Sequence, residues 1–211
     1  MAEDIAIRRV AVVLFDGFTA LDAYGPIQAF GACRRMKADG TPERFYAIAT
    51  LGEKSGPFRS GEGPATIVDY DFSDAQTWDI LVVPGGFGTR AAVTNEAFLR
   101  QLALACERST ITTTVCTGSA LLARTGRLDG RPATSNKIAW DWVVRQGPRV
   151  RWQRRARWVD DGDTLTSSGV SAGTDMALAL IARLNGRDMA LAAARNMEYL
   201  WNEDPGNDPF A

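Results

Sequence analysis

Unbroken apolar stretches alternate with amphipathic ones along this chain, and the two patterns predict different elements. Residues 9–15 and 79–83 read as strands whose continuous apolar runs, 10–15 and 80–83, are the pattern of burial on both faces of a parallel sheet. Residues 45–51 predict a second strand, and the first strand and the one ending at Cys116 are expected to be neighbours in the sheet. Helical spacing covers residues 23–36, broken only by Gly25-Pro26, and returns at 96–108, 117–124, 137–145, 174–184 and 188–200. Residues 56–71, rich in Gly and Pro, turn β-like at Thr66-Ile67-Val68 and predict a small hairpin at the sheet's edge. Asp160-Asp161-Gly162-Asp163 is a hairpin turn between strands at 156–159 and 164–167. The alternation specifies an α/β fold with a mainly parallel central sheet, one domain over residues 1–211. Ligands of such sheets bind outside the carboxyl ends of the strands.

Three chemically loaded segments fall at that edge. In the run 110–123 a β-branched stretch ends at Cys116-Thr117-Gly118 and an Ala/Leu helix follows at once, so a thiol is held at a strand-to-helix elbow. There the N–H groups and dipole of the helix favour an anion, and a stabilised, nucleophilic thiolate is expected. The alternative is a buried core cysteine. Cys106, at helical spacing from Phe98 and Leu102, and Cys33, beside Phe30 in the first helix, read as core. The loop Pro84-Gly85-Gly86-Phe87-Gly88 lets backbone N–H groups approach a ligand. Asp22, just past the first strand, reads either as a helix cap or as the acid/base for the thiol.

Composition narrows the chemistry. The 211 residues contain no histidine, which eliminates Cys-His and Ser-His-Asp catalysis, and the three cysteines lack the paired spacing of a zinc site. Neither a metal nor a cofactor is expected. A net charge of −1 gives no electrostatic reason for nucleic-acid binding. Residues 149–157 are a local exception, with five arginines around Trp152, and read as a solvated strand face. The first apolar run stops at Asp16, too short for an export signal or a membrane span, and three cysteines make no disulfide framework. A cytoplasmic protein with no membrane partner is the expectation.

Taken in order, Phe15-Asp16-Gly17-Phe18, Leu21-Asp22 with Gly25-Pro26, Val83-Pro84-Gly85-Gly86, Val115-Cys116-Thr117-Gly118 and Ser171-Ala172-Gly173-Thr174-Asp175 resemble the ThiJ/PfpI superfamily, and within it the isocyanide hydratases. The resemblance runs from about Val10 to Glu198. It implies a flavodoxin-like sandwich, akin to class I glutamine amidotransferases, with Cys116 as nucleophile and Asp22 and Thr117 beside it. It also implies a homodimer, with the tail from Glu198 to Phe210 at the subunit contact. Asn136 stands where many members carry a histidine. Val170 and Ser171 look like the wall facing the cysteine, and with Asn136 and Trp140 they are the expected pocket for a small-molecule substrate. Of Trp140 and Trp142, two apart on a helix, only one can face it.

An isocyanide has an electrophilic terminal carbon. Cys116 would add there to give a thioimidate, Asp22 or a water would supply the proton, and water would release an N-substituted formamide. The N–H groups of Gly85, Gly86 and Thr117 are the expected donors to developing negative charge. Two other readings stay open. One is a glyoxalase acting on 2-oxoaldehydes, for which Asp22 is one methylene shorter than the usual glutamate. The other is a ligand or redox sensor; similar domains in AraC-type regulators carry a further helix-turn-helix region, whereas this chain ends at Ala211. Peptide cleavage is disfavoured, because no imidazole is present to protonate a leaving amine.

Overall fold

The computed structural model describes residues 6–37 and 39–211. Its main sheet contains β1 (Arg8–Leu14), β2 (Tyr46–Gly52), β3 (Tyr70–Asp71), β4 (Trp78–Val83), β5 (Ser109–Thr114), β6 (Trp158–Asp160) and β7 (Thr164–Ser167). In space they run β6-β7-β5-β4-β1-β2-β3, parallel throughout except for the antiparallel pair β6–β7. Val10 to Leu14 and Ile80 to Val83 are fully buried, so the apolar runs reflect helices on both faces. On one side α1 (Ala20–Ala32) packs with α6 (Ala172–Asn185) and α7 (Arg187–Asn196). On the other, α3 (Glu96–Glu107) and α4 (Gly118–Arg124) lie against β5, with α5 (Trp140–Gln146) and the single turn α2 (Thr89–Ala92) against α4.

The chain steps outward from β1 to β2 and β3, then returns to place β4 on the other side of β1, so that β4 separates β1 from β5 and the first and cysteine strands are not the neighbours expected. This reversal opens a crevice at the carboxyl ends of β1 and β4, the usual ligand position in open parallel sheets. At Gly25 a Cβ would lie 2.5 Å from Thr174 Oγ1, so α1 and α6 cross at a separation that requires glycine. Pro26 follows inside α1 and leaves the Asp22 carbonyl without its intrahelical donor.

Several expected boundaries shift. The first helix stops at Ala32, where the Cys33 N–H folds back to the Phe30 carbonyl. Arg34–Met36 instead pairs with Pro42–Arg44 in an exposed antiparallel arm, and Cys33 is a buried cap residue rather than part of the helix. The last helix ends at Asn196, because Glu198 takes a left-handed φ of 50° and the Tyr199 N–H returns to the Ala194 carbonyl. The helix expected from 137 begins at Trp140, and the strand expected from 156 begins at Trp158. Pro57–Arg59 and Ala65–Ile67 do form a hairpin, but as a separate two-stranded sheet; β3 is the edge of the main sheet on that side. No helix among the described residues is long and apolar enough to cross a membrane.

The arginine run divides. Arg149, Arg151, Arg154 and Arg155 are exposed as expected of a solvated face, whereas Arg157 is buried. Its Nε donates to Asp175 Oδ2 at 2.7 Å, and its Nη1 lies 3.8 Å from Asp208 of the tail. Asp175 Oδ1 accepts from the Tyr199 hydroxyl and the Asn202 N–H, both at 3.0 Å. Removing the cation would leave buried carboxylates uncompensated, so Arg157→Met is expected to lower stability by ~3–5 kcal/mol. Urea unfolding measures this, and a loss under about 1 kcal/mol would mean the tail is held by other contacts.

Candidate active site

β5 ends at Thr114 and α4 begins at Gly118, so three residues make the turn, with Cys116 at its apex in a left-handed φ of 58°. The elbow packs too tightly for larger residues around it. A Cβ on Gly118 would lie 2.2 Å from the Val83 carbonyl, and one on Gly173 2.5 Å from Val115 Cγ1. β4 and α6 therefore clamp the turn, and the strain of a non-glycine residue at positive φ is borne by the surrounding packing.

Asp22 sits in the first turn of α1 and is wholly buried. It does not cap its own helix: the N-cap position is Thr19, with no side-chain cap bond, and the Asp22 carboxyl crosses to the glycine loop, where Oδ2 accepts from the Gly85 N–H at 2.9 Å. Oδ1 has no hydrogen-bond partner of good geometry among the described residues, although the Cys116 thiol is close enough to influence the carboxyl's titration. The Gly86 N–H donates to Thr117 Oγ1 at 2.9 Å. Gly85 and Gly86 are thus not free to hold developing charge, as the sequence had suggested; each N–H is spent on fixing a site side chain. The Thr117 hydroxyl faces the loop, sharing the Gly86 carbonyl with Thr89.

Other donors face the thiol. The backbone N–H groups of Thr117 and Val170 and the Asn136 side chain interact with Cys116, and all favour its anion. Val170 has a φ of 45°, which is rare for a β-branched residue and brings its N–H to the sulfur. Burial nevertheless dominates, followed by the charge of Asp22, and the Cys116 thiol is pushed up to about 12. The thiolate expected at the elbow is therefore not the resting form. Cys33 and Cys106 are raised by burial to about 12 and about 11, so acidity does not set Cys116 apart. Asp22 is raised to about 7, chiefly by burial, with the Gly85 bond and the thiol opposing. One proton thus resides on the sulfur, and a carboxyl poised near neutrality stands beside it.

A pocket of about 190 Å3 opens onto Cys116, lined by Thr19, Gly86, Phe87, Arg90, Thr117, Asn136, Ile138, Ala139 and Val170. Val170 and Asn136 lie where the sequence placed them. Ser171 lines an adjoining cavity of about 250 Å3 instead. Neither Trp140 nor Trp142 lines the pocket: Trp140 is buried edge-on against Trp152, and Trp142 reaches the site only through Arg90, whose guanidinium carbon lies 4.0 Å from its ring centroid. Sequence reading missed Arg90 and Ile138, which no local signal separates from surface residues, and placed Phe87 only within the glycine loop, with no role for its side chain. Among the described residues, no group of three His, Cys, Asp or Glu side chains is arranged to hold a metal ion.

The close approach at Gly85 yields a direct expectation. A Cβ there would lie 2.5 Å from Thr117 N, 2.6 Å from Thr117 Oγ1 and 3.0 Å from Asp22 Oδ2. Gly85→Ala must push the elbow and the carboxyl apart, and a displacement of about 1 Å can cost on the order of 100-fold in rate. Any Cys116-dependent reaction reduced by that factor with a near-native circular dichroism spectrum is the expected result; an unchanged rate would show that the glycine is not what sets the spacing.

A family model described as DJ-1/PfpI matches residues 8–183. An isonitrile hydratase of Pseudomonas putida is 33% identical over 128 residues, covering 61% of this chain and 55% of that protein. The HTH-type transcriptional regulator GbdR of Pseudomonas aeruginosa is 29% identical over 197 residues, covering 91% of this chain and 51% of the regulator. The chain thus spans about half the length of either relative. Among solved structures, a THiJ/PfpI family protein from Pseudomonas syringae superimposes with a TM-score of 0.80 at 28% identity, covering 92% of this chain and 76% of that one.

Proposed function

The chain belongs to the DJ-1/PfpI family, and from that premise we propose that it is a cysteine-dependent hydratase that converts a small isocyanide to its N-substituted formamide. The observation that carries the reading is the buried pair of Asp22 and Cys116, with one carboxyl raised to about 7 and no imidazole in the chain. Such a pair suits a reaction in which one proton leaves sulfur for carbon and the added water later returns one to sulfur as the S–C bond breaks.

The ionised Asp22 takes the thiol proton as Cys116 Sγ attacks the terminal carbon. The same proton passes to that carbon, so that new S–C and C–H bonds give a thioimidate. Water then adds to this carbon, a proton goes to nitrogen, and the S–C bond breaks, releasing the formamide and the free thiol. The net change is addition of one water. The N–H groups of Thr117 and Val170 and the Asn136 side chain hold the sulfur as it acquires charge, a contribution of ~3 kcal/mol for a well-placed donor in a transition state.

Enediol formation from a 2-oxoaldehyde would require the short Asp22 carboxyl to serve the substrate's carbon as well as the thiol, and peptide cleavage would require it to protonate a leaving amine in place of the imidazole the chain lacks. The likeness to a regulator over 197 residues favours one second reading, a ligand-sensing domain. We further take the protein to act as a cytoplasmic homodimer, a second copy covering the exposed Phe87, Ile138 and Phe210 around the two cavities. Mixing the protein with an aryl isocyanide and quenching in acid tests the covalent step. A mass gain equal to one isocyanide on the Cys116 peptide is expected; formamide produced with no adduct on Cys116 at any quench time would refute it, and neither product would leave the sensor reading.

A further inference from the structure

Arg90 lies in α2, on the wall of the pocket that opens onto Cys116. Most arginines with a defined partner in this protein meet a carboxylate: Arg131, Arg157, Arg183 and Arg187 each do. Arg90 meets none among the described residues. Its Nη1 contacts only neutral acceptors, Thr89 Oγ1 at 3.1 Å and the Gly86 carbonyl at 3.4 Å. Nε and Nη2 carry no hydrogen bond among the described residues, so most of a guanidinium's five donors are unused. The group is nevertheless held in place. Its carbon lies 4.0 Å from the Trp142 ring centroid and 5.3 Å from that of Phe87. The two rings restrict the fork while its free edge has no protein anion to satisfy, and partial burial disfavours the unpaired charge.

A fixed, half-buried guanidinium fork with no counter-ion, beside a nucleophile in a pocket of about 190 Å3, matches a planar oxyanion. We propose that Arg90 is the specificity residue of this site and that the substrate carries a carboxylate close to its electrophilic carbon. This deepens the proposed hydratase reading and rests on it for the nature of that carbon. The recognition itself depends only on Arg90 and the reactivity of Cys116. A carboxylate seated on the fork would bring a carbon one to three bonds away toward the sulfur, and a neutral molecule of equal size would gain nothing from the same contact.

Two alkylating agents that differ only in charge read this without reference to turnover. Iodoacetate and iodoacetamide both form an S–C bond to Cys116 as the C–I bond breaks and iodide departs, the thiol proton passing to Asp22 or water. The ratio of their rates at Cys116, followed by peptide mass spectrometry, cancels any effect of Arg90 on the reactivity of the thiol itself. Arg90→Met is expected to lower the iodoacetate-to-iodoacetamide ratio at least about tenfold, a loss in keeping with one charge-assisted hydrogen bond. Arg90→Lys, which keeps the charge but not the fork, should recover part of it. Equal ratios in wild type and Arg90→Met would overturn the proposal.

If Arg90→Met does not fold, wild-type protein still decides: propionate should protect Cys116 from iodoacetamide and propionamide should not, and equal protection overturns the assignment. A second arm compares isocyanoacetate with its methyl ester as substrates. Turnover of both with equal kcat/KM in wild type would overturn the carboxylate preference and leave the hydratase reading intact. Turnover of neither, with the alkylation ratio still dependent on Arg90, would retire the hydratase reading and leave the anion site standing.

Discussion

Cys116→Ser is expected to keep the fold and lose formamide formation by at least ~10^3-fold. The substitution is nearly isosteric, and it leaves the strained backbone at 58° and its packing as they are. A hydroxyl is far less acidic and less nucleophilic than a thiol, and this thiol already sits at about 12 with one carboxyl to deprotonate it. Asp22 near neutrality cannot make up the difference for serine. Initial rates of formamide release from an aryl isocyanide, with thermal unfolding as the control for folding, measure the effect. A serine variant retaining more than about a tenth of wild-type activity would mean that sulfur forms no bond to substrate.

Asp22→Asn should be nearly as damaging and should show an opposite effect on stability. The amide cannot accept the thiol proton, and a loss of ~10^2–10^4-fold is the range for removing a general acid/base. The pH profile supplies the signature. In the wild type kcat/KM should rise with pH through about 7, as the Asp22 carboxyl ionises, and the variant's residual rate should lack that inflection.

Stability follows the same titration. In the folded chain Asp22 holds its proton up to about 7, against an ordinary value of 3.8. Its folded pKa lies above the unfolded one, so the folded state binds more protons between these values, and stability falls as pH rises across that window. The asparagine variant escapes this dependence. By pH 8 it should be the more stable protein, by ~2–4 kcal/mol at most. Urea unfolding at pH 5 and pH 8 tests this, and a gap between the two proteins that does not widen with pH would show that the carboxyl is not strained by burial.

What could be read from the chain was what short-range pattern encodes. The elbow at Cys116 was legible because a β-branched run, a small turn and an Ala/Leu helix are contiguous, and Asp22 because it follows a continuous apolar strand. The N–H groups of Gly85 and Gly86 were misassigned because the groups that consume them lie 63 and 31 residues away in the chain. Val170 offered its N–H only through a backbone conformation that its side chain disfavours. The acidity of the thiol was misjudged because local helix geometry is visible in sequence and burial is not; the wholly buried surroundings of the elbow come from β4, α6 and the segment after β7. Arg157 and Arg90 show the same limit from the other side. Nothing in their neighbourhoods distinguishes a buried ion pair or a pocket guanidinium from the exposed arginines nearby.

The most direct test of the catalytic reading is a comparison of two consumption rates on one preparation. Purified, chelator-treated protein is given an aryl isocyanide or methylglyoxal at equal concentration, with Cys116→Ser in parallel. Formamide should accumulate with the wild type alone, while methylglyoxal disappears no faster than with the serine variant. Cys116-dependent loss of methylglyoxal far outpacing formamide release would contradict a hydratase and assign the site to 2-oxoaldehydes.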